Sequence, residues 1–178
     1  MLPNPLHPAI VHFPVVIVLV LPLVAFVTIL MIRRGANARR AWSVPLACAA
    51  ALALTTWAAV ETGEEQSEKV ERIVAEQPLD THEERAELFL SLSGALVVVM
   101  AAGMIRGRVG QYVRAVATVG AVGLAVLGAY VGHTGGELVY RYGAANAYTQ
   151  QADRATSNQS TPTTTPKARE AGGDVRRH

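Results

Sequence analysis

The sequence predicts an all-α integral membrane protein: a four-helix up-and-down transmembrane bundle over residues 1–148, followed by a disordered polar tail over residues 149–178. Three observations predict it. The 178 residues are 51% hydrophobic and only 17% charged, more apolar and less charged than a water-soluble domain of this length. The apolar residues gather into four long blocks rather than at amphipathic spacing, and each is near the ~20 residues that cross a bilayer core of about 30 Å. Almost no ionisable side chain interrupts these blocks, and backbone groups in lipid must bond within their own segment, so each block is expected to be helical.

The first block spans residues 9–32. The segment before it, MLPNPLHPAI, holds no Lys or Arg, and the block is longer than a secretory signal core and lacks a small-residue cleavage pattern, so it reads as a mature helix. Pro22 should kink or loosen it near mid-membrane by removing an amide donor. The second block, residues 41–60, opens near Pro45 and contains Cys48. That is the only cysteine, which excludes a disulfide framework and leaves a small packing residue. The third block, residues 87–105, is preceded by Thr81-His82-Glu83-Glu84, which reads as a capping box with Thr81 as N-cap. The fourth, residues 112–132, carries a small-residue face of Ala125, Gly128, Ala129 and Gly132, suited to close helix approach in lipid, and is expected to stop at Gly135 and Gly136.

Arginine sets the expected orientation. The segment RRGANARR joins helices one and two with Arg33, Arg34, Arg39 and Arg40, and the turn between helices three and four adds Arg106, Arg108 and Arg114, with no Asp or Glu in either. Short arginine-rich loops stay in the cytoplasm, which predicts a multi-pass protein of the inner (cytoplasmic) membrane with both termini extracytoplasmic. All 14 acidic residues then fall on the outer side. Most lie between helices two and three, where Val70, Ile73 and Val74 recur at helical spacing, so this stretch is either a short amphipathic helix across the outer mouth or a solvated acidic loop. Past Tyr148 the chain is rich in Thr, Ser, Gln and Pro, without apolar periodicity, and is expected to be disordered.

The chemistry-bearing residues map to the outer helix ends. His7 and His12 open helix one, Glu61 closes helix two, His82 opens helix three and His133 closes helix four. Ionisable groups at membrane depth are expensive and are functional candidates by default. His7 and His12 are five positions apart, about 140° around a helix, so both cannot face one point on a continuous helix, and His12 is taken as the deeper ligand. Neutral imidazoles on facing helices can hold a b-type haem, the candidate pairs being His12 with His82 and His12 with His133, with Arg85 and Arg141 placed to neutralise propionates. Iron, copper or zinc without haem would use His12, His82 and His133 together with Glu61 or Glu83. Against both stands a purely structural role, since interfacial histidines often only cap helices or bond water.

The runs LHPAIVHFP at 6–14, THEE at 81–84 and GHTGGELVYRYG at 132–143 together resemble a family of bacterial membrane proteins, domain of unknown function 2231, over roughly residues 5–145. The family's recurring features match His7, His12, His82, His133, Gly135, Gly136 and Tyr140. Some relatives resemble fusions to Rieske iron–sulfur or c-type cytochrome domains, which implies redox company at the outer face. This chain has no CxxCH and no second cysteine.

Two functions follow as expectations. The first is a membrane redox or electron-transfer protein that binds haem b or a metal ion near the outer face and exchanges electrons with a redox protein or quinone. The second is a noncatalytic scaffold or accessory subunit, without cofactor, in which the His and Glu ring organises hydrogen bonds and the acidic loop docks a partner. The lipid bilayer is the expected surrounding in either case, and the sequence leaves the oligomeric state and any enzymatic activity open. Transport is disfavoured because no ionisable group lies near mid-membrane. Hydrolysis lacks a nucleophile beside a base, and the basic residues are explained by topology and tail rather than by nucleic acid.

Overall fold

A computed structural model describes residues 7–70 and 76–144, and it is helical almost throughout: α1 (His7–Ile10), α2 (His12–Arg33), α3 (Ala38–Val70), α4 (Glu76–Ala102) and α5 (Gly107–Tyr140). The expected tail at 149–178 lies outside the described residues, as do Ile73 and Val74 of the expected surface helix. Four spans are long and apolar enough to cross a membrane: His12–Arg33, Ala38–Glu65, Gln77–Ala102 and Gly107–Tyr140. Helix α2 packs on α3, α3 on α4, α4 on α5, and α5 closes back onto α2, while α1 rests on α3 and α2. This is the expected up-and-down bundle.

Its interior joins large side chains to small ones. Val18, Leu21, Trp42, Leu52, Phe89 and Met100 fill the space, and Ala25, Ala49, Ala117 and Ala121 let the backbones approach. The outer surface is as apolar as the interior, with Val98 and Val119 70% and 72% exposed. In water such a surface would be an aggregation liability. Against lipid tails it costs nothing, and cohesion between helices comes from close packing and hydrogen bonds instead. Of the expected small-residue face, only one end is used: a Cβ on Gly128 would lie 3.1–3.2 Å from Phe89 and Val18, whereas Gly132 faces open space.

Both arginine-bearing turns lie at one end of the bundle and the histidine-bearing helix ends at the other. At the arginine end, Arg114 is not merely a topological charge. Its side chain is buried, and Nε and Nη2 donate to the carbonyls of Gly103 (2.8 Å) and Ile105 (3.1 Å), just past the end of α4. Trp42, fully buried on α3, donates its indole N–H to the Met100 carbonyl at 2.8 Å. Together they satisfy carbonyls that a helix terminus otherwise leaves unpaired.

At the other end the helices depart from their expected bounds. Helix α3 continues to Val70, because the Glu, Gln and Lys that leave the membrane are good helix formers attached to a helix already nucleated. Helix α4 starts at Glu76, so Thr81 is not an N-cap; it sits inside the helix and its hydroxyl donates back to the Gln77 carbonyl at 2.8 Å. Helix α5 runs through Gly135 and Gly136 to Tyr140. Helix one is divided at Val11, ahead of Pro14, which has no N–H to give the Ile10 carbonyl, while α2 passes uninterrupted through Pro22.

Candidate functional site

Five positions put His7 and His12 about 140° apart on the helix, and His7 is the one half-buried against the bundle while His12 is exposed. The His7 ring lies against α3, with Nδ1 2.8 Å from the Ala59 carbonyl and 3.4 Å from Thr62 Oγ1. A carbonyl only accepts, so Nδ1 carries the proton and Nε2 keeps its lone pair. The ring can lie this close because its neighbour is glycine: a Cβ on Gly63 would stand 3.1 Å from His7 Cε1. Burial pushes the His7 imidazolium below its ordinary range, against the opposing effect of the Ala59 hydrogen bond, so the ring is neutral near pH 7.

His82 on α4 makes the corresponding arrangement with α5. Its Nδ1 is 3.0 Å from Thr134 Oγ1, and the Thr134 hydroxyl proton is committed to the Val131 carbonyl at 2.9 Å. With the hydroxyl proton on that carbonyl, Oγ1 accepts from Nδ1–H and Nε2 is left as a lone pair; a hydroxyl turned toward the ring would donate to Nδ1 instead. The ring also reaches the Val131 carbonyl itself. A Cβ on Gly135 would stand 3.1 Å from His82 Cε1. His82 is within electrostatic reach of both His7 and Arg85.

The remaining expected site residues are dispersed around this pair. His12, Glu61 and His133 are exposed, whereas His7 is half-buried. Arg85 stacks over Tyr130, 4.4 Å from the ring centroid. Arg141 pairs with Glu137 at 3.3 Å. Arg85, Tyr130 and His133 line a half-open groove of about 470 Å³ between the start of α4 and the end of α5, with Thr81, Thr134 and Glu137. Among the described residues no three His, Cys, Asp or Glu side chains are placed to hold a metal ion together, so His12, His82, His133 and Glu61 do not form one ligand set there.

One buried polar atom near the pair is unpaired. Thr56 is 3% exposed and its Oγ1 has no hydrogen-bond partner among the described residues, although Thr55, Thr62 and Thr118 all bond back to their own helices. Thr56, Ala59 and Gly63 recur at helical spacing, which puts Thr56 on the His7-bearing stripe of α3, one turn deeper.

Reading by residue type overlooks Thr62, Gly63 and Thr134, because threonine and glycine inside apolar helices look like packing residues. The signal that marks them is internal: Thr62-Gly63-Glu64-Glu65 and Thr134-Gly135-Gly136-Glu137 are the same short pattern at the ends of two helices.

The model of the family described as "Predicted membrane protein (DUF2231)" matches residues 3–148. No curated protein matches the chain, and no solved structure matches it.

Proposed function

The chain belongs to that membrane-protein family, and from this premise we propose that it is a redox protein of the inner membrane that holds haem b between His7 and His82 near the extracytoplasmic face. The observation that carries the reading is the pair of imidazoles whose Nδ1 atoms are engaged within the protein, His7 by the Ala59 carbonyl and His82 by Thr134 Oγ1. Metal-bound histidines are typically oriented in this way, with the second nitrogen fixed by a carbonyl or hydroxyl so that the first presents its lone pair.

The size of the donor set favours haem over a bare ion. Zinc or copper(II) generally needs three or four ligands from the chain, whereas a porphyrin supplies four equatorial nitrogens and asks only for axial ones. Among the described residues no three His, Cys, Asp or Glu side chains share one site. The unpaired hydroxyl of Thr56 fits a polar guest at this depth. Arg85, half-buried and within electrostatic reach of His82, is the propionate partner, while Arg141 is engaged by Glu137. Bound there, haem would supply one-electron exchange with a redox protein or quinone at the same face. The positive-inside rule supports the orientation, since both arginine-bearing turns share the opposite end.

The test is an ultraviolet–visible spectrum of protein purified in mild detergent after expression with ample haem and iron, recorded oxidised and dithionite-reduced, with elemental analysis. The expected result is a Soret band that shifts on reduction and is lost in His7→Ala and in His82→Ala. A colourless, metal-free protein would overturn the reading and leave the noncatalytic scaffold.

A further inference from the structure

The two histidine clusters are related by more than chemistry. Thr62 and Thr134, Gly63 and Gly135, and Glu65 and Glu137 share one offset of 72 positions. The same offset relates Ala59 and Val131, whose carbonyls accept at the two clusters, and it relates the left-handed glycines at the arginine-end turns, Gly35 (φ +100°) and Gly107 (φ +79°). It also relates buried positions of α3 to buried positions of α5: Trp42 to Arg114, Ala49 to Ala121, and Leu52 to Leu124. Sequence spacing, backbone turns and burial thus agree on one register.

The hairpin α2–α3 and the hairpin α4–α5 run in the same direction, and the contact of α3 with α4 is matched by that of α5 with α2. Such a closed ring of two like hairpins has a pseudo-two-fold axis along the bundle, the arrangement of a parallel internal repeat. Each hairpin brings a histidine at the start of its first limb onto a Thr-Gly pair at the end of its second. His7 reaches across 55 positions to Thr62 and His82 across 52 to Thr134. The histidines themselves lie 75 positions apart, three more than the offset shared by α3 and α5. In both halves Nδ1 is taken up by the threonine turn, and in both the glycine would-be Cβ stands 3.1 Å from Cε1.

We propose that the bundle is an internal duplication in which each hairpin builds the same imidazole donor, so that Gly63 and Gly135, with the threonine turns before them, are positioning residues for His7 and His82 respectively. This rests on the reading above that the two histidines act as ligands. Alanine at either glycine places a Cβ 3.1 Å from the ring, which must give by a few tenths of an ångström, and that displacement is confined to the histidine of the same hairpin. Loss of groups that orient a metal-binding histidine costs about 10–100-fold in affinity, and the duplication makes the two losses similar.

The experiment uses the full chain in detergent, free of added haem, with ¹⁵N-labelled histidine. Long-range ¹H–¹⁵N spectra read the tautomer and ring environment of each imidazole, and hemin titration by absorbance follows on the same samples. Expected are the Nδ1–H tautomer at both His7 and His82, displaced His7 signals in Gly63→Ala alone, and displaced His82 signals in Gly135→Ala alone. Gly132→Ala, where a methyl meets nothing, serves as the unchanged control. An Nε2–H tautomer at either ring, or glycine variants whose histidine spectra match the control, would overturn the duplication of the donor. Spectra as expected with no hemin bound by any variant would support the duplicated donor and sink the haem reading. Hemin bound by the parent protein should be weakened about equally by the two glycine variants, and a loss confined to one of them would count against equivalence.

Discussion

A single neutral imidazole makes the stability of this protein depend on pH. His7 gives up water for the Ala59 carbonyl and the face of Gly63, and desolvation holds its folded pKa below the ordinary value near 6.5. A group whose folded pKa is depressed binds fewer protons folded than unfolded throughout the interval between the two values. For His7 the stabilisation is therefore complete above about pH 6.5 and declines as pH falls from there toward the folded pKa. The melting temperature in detergent should fall as pH is lowered through that window, and His7→Gln, which retains an N–H donor for Ala59 without titrating, should flatten the dependence. An unchanged slope in the variant would place the acid sensitivity elsewhere. At this scale the sequence was legible in part. The histidine types and the end they occupy can be read directly, but five positions set His7 and His12 on different sides of the helix, and only the packed bundle shows that His7 is the half-buried one. Arg114 reads as one more topological charge, and only the packed bundle brings it to the Gly103 and Ile105 carbonyls.

The elements themselves are the most legible level, because twenty apolar residues in lipid have hardly any alternative to a helix. Their ends are less so. Polar residues such as those of ETGEEQSEKV neither demand nor forbid a helix, and α3 extends through them because propagation from an existing helix is cheaper than nucleation. Glycine illustrates the same difficulty, since its role is set by neighbours rather than by type. Gly110 lies in the first turn of α5, where a Cβ would run into the Ile105 carbonyl, while a Cβ on Gly123 in the middle of the same helix meets nothing within 4 Å. Gly110→Ala should therefore destabilise the protein by about 1–3 kcal/mol, the cost of overpacking against backbone. Gly123→Ala should be neutral or stabilise by up to about 1 kcal/mol, since alanine is the better helix former. Thermal unfolding of the two variants in one detergent would check the contrast, and equal effects would show that the tight turn after α4 relaxes around the added methyl.

For the molecule as a whole, the bundle's charge distribution and its chemistry point along the same axis. Arg33, Arg34, Arg39, Arg40, Arg106 and Arg108 cluster at the two turns of one end, and the other end carries the histidines and the acidic extensions of α3 and α4. The two hairpins repeat this polarity, so each is biased to insert in the same direction, and the bias of one reinforces that of the other. Orientation by charge acts during insertion and leaves no mark on helix packing, which is why it is read from the sequence more readily than from the structure. It can be measured with the protein's own economy of cysteine. In a Cys48→Ala background, a cysteine at Tyr140, whose side chain is 91% exposed at the histidine end, should react with a membrane-impermeant maleimide in intact cells. A cysteine at Ala36, in the arginine-end turn, should react only after the membrane is opened. The reverse pattern would place the histidine pair on the cytoplasmic side and remove the proposed extracytoplasmic electron exchange, while labelling of both sites in intact cells would show a mixed topology. Replacing Arg33, Arg34, Arg39 and Arg40 by glutamine should erode the asymmetry without abolishing it, because Arg106 and Arg108 of the second hairpin still hold their turn inside.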